Sequence, residues 1–315
     1  MKPQLTRHPH GITAVDAEYV RPLHAAIHII EHRGRAAIVD TGTTHSVPYT
    51  LAALSELGLS PADVDFVLLT HVHLDHAGGA GALMQALPNA RAVLHPRGAP
   101  HMISPEKLIA GSMAVYGEER YRALYGEIVP IPKERVLTTE DGQQLNLAGR
   151  TFRVLHTPGH ALHHHCFFDE QYRNVFTGDT FGLSYRELDN ANGAFVMPTT
   201  TPTQFDPDQL IASVDRIVAL GPEAVYLTHY SRVTDVPRLA ESLKLQIRAF
   251  VEIAQRSATV PDPKEAIRRE MAALWQRMLR ERGNDLSPEE FNDLLGNDLE
   301  LNSQGLIAWL ERLRR

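Results

Sequence analysis

The sequence predicts an α/β fold, sheets covered by helices, on three observations. Short β-branched runs recur through the first three quarters of the chain, amphipathic segments lie between several of them, and strand-like runs stop at Pro237. The runs, in order, are RAAIVD (35–40), FVLLT (66–70), RAVLH (91–95), FRVLH (152–156), HCFFD (165–169), NVFTG (174–178) and AVYLT (224–228). Each is short, apolar and rich in residues that fit a pleated surface, so each reads as a strand. Segments 47–57, 77–87 and 207–220 have helical spacing, the last carrying Leu210, Ile211, Val214, Ile217 and Val218 toward one side.

Residues 98–128 interrupt this alternation with a helical stretch rich in Met102, Met113, Tyr116, Tyr121 and Tyr125. It reads either as an insertion covering a site or as a helix packed on the core. From Pro237 the pattern is helical over 237–256, 263–282, 288–296 and 303–314, with breaks at Pro261, Pro263 and Gly283. Ser287 before Pro288, with Glu289 and Glu290 following, is a helix start. These features divide the chain into a domain over 1–236 and a helical C-terminal extension over 237–315.

With 315 residues, 43% hydrophobic and 22% charged, the composition is that of a globular protein with a substantial core. A formal net charge of −7 disfavours a polyanion, so no nucleic-acid partner is expected and a small-molecule substrate is. The amino terminus has no apolar run of signal type and no membrane span is visible, which predicts a cytoplasmic protein; a homodimer is compatible with the sequence. The single cysteine, Cys166, rules out an internal disulfide and a thiolate-rich metal site, and reads as a buried strand residue.

The 17 histidines carry the chemistry. Directly after FVLLT come His71, Val72, His73, Leu74, Asp75 and His76, then Ala77, Gly78 and Gly79. A strand that ends in a short loop and a helix start aims several side chains into one space. Imidazole and carboxylate suit Zn, Fe and Mn, and four within six residues can serve two neighbouring ions. His160 follows FRVLH, Asp179 follows NVFTG and His229 ends AVYLT, so every candidate ligand lies just past a strand, where the loops of an α/β fold converge.

The run at 71–76, TPGH at 157–160, GDT at 178–180, LTH at 227–229 and IVDTG at 38–42 resemble the signature of the metallo-β-lactamase superfamily. The resemblance runs from about residue 20 to 232, in the branch similar to glyoxalase II and the dinuclear lactonases. It implies an αβ/βα sandwich and two divalent metal ions, Zn first and Fe or Mn as alternatives. By it, His71, His73 and His160 hold the first ion, Asp75, His76 and His229 the second, and Asp179 bridges them. Asp40 becomes a buried residue behind the metal loop, or a plain strand-to-turn aspartate.

The implied chemistry is attack by a hydroxide shared between the ions, with Asp75 carrying a proton to the leaving group and Asp179 orienting the nucleophile. The leading function is hydrolysis of a small ester, lactone or thioester. Phosphodiester or phosphotriester cleavage on the same site and an iron-dependent sulfur dioxygenase are the rivals. The segment after Asp179 departs from the lactonases and from glyoxalase II, which leaves the substrate open, and His73 stands where flavodiiron oxygen reductases carry a glutamate. Tyr116, Tyr185 and Arg232 are the candidate substrate residues, among apolar walls from Met102, Met113, Tyr121, Phe181, Phe195 and Met197. Among His163, His164 and His165, one can support a ligand; His24, His28, His32, His45, His95, His101 and His156 read as structural.

Overall fold

The computed structural model describes residues 2–200 and 204–314. The chain forms two compact units, one of Met1–His156, His163–Gly178 and Gly221–Thr234, the other of Thr157–Leu162, Asp179–Leu220 and Asp235–Arg315. The C-terminal helices thus group with two earlier segments.

The first unit contains both sheets. One has seven strands in the order β1 (Leu5–His8), β2 (Ile12–Asp16), β3 (Ala26–His32), β4 (Arg35–Val39), β5 (Val64–Leu68), β6 (Arg91–Leu94) and β7 (Val136–Thr138). It is antiparallel as far as β4 and parallel beyond it. The other has six, β8 (Gln144–Leu147), β9 (Arg150–His156), β10 (His165–Asp169), β11 (Asn174–Gly178), β12 (Ala224–Leu227) and β13 (Ser231–Val233), in that order. Only β11 and β12 pair in parallel there.

Parallel neighbours need crossovers. α1 (Val47–Glu56) joins β4 to β5; α2 (Leu74–Ala77) and α3 (Ala80–Ala86) join β5 to β6. The stretch over 98–128 is three short helices, α4 (Ala99–Ile103), α5 (Glu106–Tyr116) and α6 (Glu118–Tyr125), between β6 and β7.

Period-two alternation builds the core. Ile27, Ile29, Ala36 and Ile38 face a cluster with Ala53 and Leu54 of α1 and Leu83 and Met84 of α3. Their neighbours Ile30, Ala37 and Val39 face the other way, into a cluster with Leu145, Phe152, Val154, Phe167, Phe176 and Tyr226 of the six-stranded sheet. The first cluster is the helix layer and the second lies between the sheets.

The same alternation turns His28 into the space between the sheets, against Phe176 and Tyr226, where burial pushes its pKa down to about 3. His165 is likewise driven by burial to about 3. A histidine held neutral in the fold takes up its proton only on unfolding, so its stabilising effect is complete above pH ~6.5 and shrinks as pH falls toward the folded value. The expected result is a urea midpoint that falls between pH 6.5 and 5, before most carboxylates titrate, and falls less steeply in His28→Gln. A flat midpoint over that window would contradict it.

In the second unit are α7 (Pro207–Ala219), α8 (Val236–Ser257), α9 (Pro263–Glu281) and α10 (Pro288–Leu313). Their packing centres on buried Trp275, whose ring lies 5.6 Å from that of Phe250 and whose Nε1–H donates to Gln246 Oε1 at 2.9 Å. Ser287 and Glu290 form the reciprocal cap that starts α10. Helices expected separately over 288–296 and 303–314 are one continuous helix. Asn302 and Ser303, poor helix formers, are buried in it, and Asn302 Oδ1 accepts from the Thr200 amide, so packing overrides local preference. Among the described residues no helix is long and apolar enough to cross a membrane.

Six strands, β1, β2, β3, β7, β8 and β13, had no counterpart in the sequence reading. β7 and β13 are three residues long and β1 and β8 four, too short for a periodic signal, whereas AIHII in β3 offered one. The expected helix over 77–87 starts earlier and breaks at Gly78 and Gly79. Asp75 and His76 therefore stand on the single turn of α2. The last part of the loop at 187–202 lies outside the described residues.

Candidate metal centre

β5 ends at Leu68, and the chain runs out through Leu69, Thr70 and His71 before α2 begins. His71 and His73 offer Nε2 and Nδ1 at 2.9 Å from each other, a spacing at which two imidazole nitrogens share a proton or a cation. Asp75, His76 and His229 each present a ligand atom within 4.8 Å of the others. His76 Nε2 lies 3.7 Å and His229 Nε2 3.4 Å from Asp75 Oδ2. His71, His76 and His229 are buried, while the Asp75 side chain is 25% exposed and forms the open side of its group.

What orients the rings is found at their other nitrogens. His76 Nδ1–H donates to Asp40 Oδ2 at 2.9 Å. His229 Nδ1–H donates to the His24 carbonyl oxygen at 2.8 Å, and His71 Nδ1 meets Thr70 Oγ1 at 3.2 Å. Each contact fixes the tautomer and leaves the far nitrogen's lone pair toward the cluster.

Asp40 is the hub behind the loop. It is fully buried and accepts from the Thr70 amide at 2.8 Å, from Thr70 Oγ1 and from Thr228 Oγ1 at 2.7 Å, besides His76. It thereby ties the ends of β4, β5 and β12 to one carboxylate. Gly178, at the end of β11, has φ +48°, and a Cβ there would stand 2.5 Å from Thr70 Oγ1 and 2.7 Å from His164 Nε2, so only glycine lets that strand end come so close.

Within the second unit His160 and Asp179 come together, His160 Nε2 lying 3.5 Å from Asp179 Oδ2. His160 Nδ1–H donates to the Thr199 carbonyl oxygen at 3.3 Å, the same device again. Both side chains are buried. The turn at 157–160 packs on α7: a Cβ on Gly159 would meet the Leu210 amide nitrogen at 2.2 Å, and Ser213 Oγ donates to the Pro158 carbonyl oxygen at 2.6 Å. Thr180 Oγ1 donates to Thr157 Oγ1 at 3.2 Å, joining this turn to the one that carries Asp179.

The candidate substrate residues are placed differently from one another. Tyr185 is fully buried and its hydroxyl donates to the Asp298 carboxylate of α10 at 3.1 Å, so it serves helix packing within its unit. Its aromatic ring follows the apolar pattern that suggested a wall, but the buried partner Asp298 lies 113 residues away in sequence. Arg232 pairs across from Tyr226 on β13 and hydrogen-bonds its phenol, whose pKa burial pushes up to about 12. Tyr116 is half-buried on α5, its ring 5.8 Å from that of Tyr125. Phe181, Phe195 and Met197 are buried in the second unit; Met102 and Tyr121 are buried in the first.

Several contributors escaped the sequence reading. Thr70 and Thr228 act through hydroxyls next to predicted ligands, and adjacency to the motif was their signal. His24 acts through its main chain, for which a sequence offers none. His163 and His164, by contrast, were among the three histidines expected to support a ligand; the His164 ring lies 4.9 Å from that of His71, and His163 Nδ1 accepts from the Val72 amide at 3.4 Å.

The profile of the metallo-beta-lactamase superfamily matches residues 20–229. A metallo-beta-lactamase fold-containing protein of Sulfurisphaera tokodaii is 27% identical over 248 residues, 78% of this chain and 85% of the relative. A hydroxyacylglutathione hydrolase of Aeromonas hydrophila is 28% identical over 205 residues, 64% of this chain but only 60% of that enzyme. The crystal structure of a metallo-beta-lactamase family protein of Thermus thermophilus shares the fold, with a TM-score of 0.67 at 24% identity over 96% of this chain and 93% of the other. With the profile spanning the strands from β3 to β12 and the fold likeness extending through the C-terminal helices, the chain belongs to the metallo-beta-lactamase superfamily and is a hydrolase of that fold.

Proposed function

We propose that this hydrolase cleaves a small ester, lactone or thioester with two divalent ions, one held by His71, His73 and His160, the other by Asp75, His76 and His229, with Asp179 bridging. The observation that carries the reading is the donor set. Asp75, His76 and His229 converge, and each imidazole has its other nitrogen fixed on an oxygen. All donors are nitrogen or oxygen, which suits Zn, with Fe or Mn as alternatives.

Held by these residues, divalent ions would supply water with a pKa lowered toward ~7 and a Lewis acid for a carbonyl at neutral pH. The chain's own groups then have separate tasks. Asp40, Thr70 and Thr228 keep the ligand loop rigid. Asp179 fixes where the nucleophile stands. Asp75, the exposed carboxylate of its group, is placed to pass a proton to the leaving oxygen or sulfur. Residues 1–236 act as the catalytic domain and 237–315 as a helical extension.

Phosphate recognition would ask for several converging cations. Arg186 is instead engaged with the Ser184 carbonyl oxygen and Asp189, and Arg232 with Tyr226. Within the acyl class a thioester comes first, because the Aeromonas hydrophila relative is a hydroxyacylglutathione hydrolase. Elemental analysis of the purified protein should find close to two equivalents of transition metal. A panel of thioesters, esters, lactones, phosphodiesters and a persulfide with oxygen uptake should then show the highest kcat/KM on an acyl compound. No bound metal after reconstitution, or a phosphodiester or the persulfide as the best substrate, would defeat the proposal.

A further inference from the structure

Leu74 separates the ligand residues His73 and Asp75, and its side chain is buried in a cluster with Tyr121, Tyr125 and Ile128. Tyr19, Met113 and Tyr116 pack on the same cluster and keep part of their surface exposed. The helices over 98–128 thus set an incompletely covered apolar surface directly on the ligand loop, next to the exposed side of Asp75.

Two hydroxyls lie within that surface. Tyr19 Oη donates to Tyr125 Oη at 3.3 Å, with the rings stacked at 6.1 Å and 25°. Tyr19 also lies against the His24 ring at 5.7 Å, which in turn meets His229 at 5.1 Å, so the pair is linked through His24 to the Asp75–His76–His229 group. Burial, and after it the Asp75 carboxylate, raises the Tyr19 pKa; burial, then Tyr19 and Asp75, raises that of Tyr125. Both phenols therefore stay protonated at neutral pH. One O–H is used within the pair, and the pair keeps one more to donate.

We propose that Tyr19 and Tyr125, with Met113 and Tyr116, are the specificity-determining residues for the acyl part of the substrate: the phenol pair donates a hydrogen bond to its carbonyl oxygen, and the apolar surface takes an unbranched alkyl chain. The inference rests on the acyl-hydrolase reading and narrows it to substrates with an apolar chain. A single donor pair beside an apolar strip, with the Arg120 guanidinium engaged over the Tyr116 ring at 5.9 Å, fits a chain better than a charged acyl group.

The test uses the methyl ketones from 2-butanone to 2-decanone, which carry a carbonyl and a chain but no leaving group. Their binding to the 315-residue chain is measured by calorimetry, with its metal and again after chelation. Affinity should rise about fourfold per buried methylene, with or without metal. Tyr19→Phe and Tyr125→Phe should weaken every ketone about equally, by roughly fivefold, leaving the increment per methylene intact. Met113→Ala and Tyr116→Ala should flatten the increment and leave 2-butanone unchanged. No increment in the wild type, or an increment untouched by the Met113 and Tyr116 variants, overturns the proposal, as does unchanged ketone binding in both phenylalanine variants. If the increments appear while no ester, lactone or thioester is hydrolysed, the binding surface stands and the acyl-hydrolase reading fails.

Discussion

Asp40→Ala should be the most damaging single substitution outside the proposed ligands, costing about 4 kcal/mol of stability and about 10- to 100-fold in metal affinity. The carboxylate is fully buried and takes four donors: the Thr70 amide, the Thr70 and Thr228 hydroxyls and His76 Nδ1–H. Removing it strands those groups away from water, at about 1–3 kcal/mol for each that finds no new partner. Position 40 also has φ +56°, which alanine tolerates worse than aspartate or asparagine. Asp40→Asn keeps the shape but offers an NH₂ group where a donor now points, so it should retain more of the stability while His76 loses its fixed tautomer. Urea denaturation of the chelated protein isolates the fold, and a competitive metal titration isolates the affinity. An Asp40→Ala protein with wild-type stability and wild-type affinity would show that the hub has no such role.

For Asp179→Ala the expected result is a fall in kcat/KM of about 10²- to 10³-fold, with the denaturation midpoint little changed. Its carboxylate is held by the proposed reading between the ions, and within its own unit it stands 3.5 Å from His160 Nε2. The turn it sits on is kept by neighbours that the substitution leaves alone, Thr180 on Thr157 and Gly159 against Leu210. Metal content per chain should fall together with activity. Near-full turnover of the best substrate by Asp179→Ala would rule out the bridging role, whatever the metal count.

How much of this was legible beforehand depended on where the information sits. That His71, His73, Asp75 and His76 lie near one another was readable because side chains on one short connection must lie close in any fold, and the strand before it fixes where they point. The approach of His160 to Asp179 followed from the same placement after strands. The amino-terminal strands were not assigned, although β2 and β3 supply Ile12 and Ile30 to the space between the sheets. Nothing local marks Asn302 as a helix interior, because the reason is its bond to Thr200, 102 residues away. Tyr185 was misplaced for a similar cause. An aromatic residue near a ligand is equally suited to line a cleft or to pack on a helix, and only the position of Asp298 decides between them.

His229 is aimed by the main-chain oxygen of residue 24, and this has a consequence for how the family can drift. Every amino acid supplies that oxygen, so the hydrogen bond that steers the ring survives an exchange at position 24, which costs only the edge contact of the His24 ring with His229 at 5.1 Å. What cannot vary is the path of the chain between β2 and β3, in which Leu23, at φ +55°, takes its amide to Asp16 Oδ2 at 2.7 Å. A lengthened or shortened connection there should be more harmful than any exchange of the histidine. Divergence among relatives would then be written in insertions and deletions at this connection, while the residue that steers the ring looks dispensable.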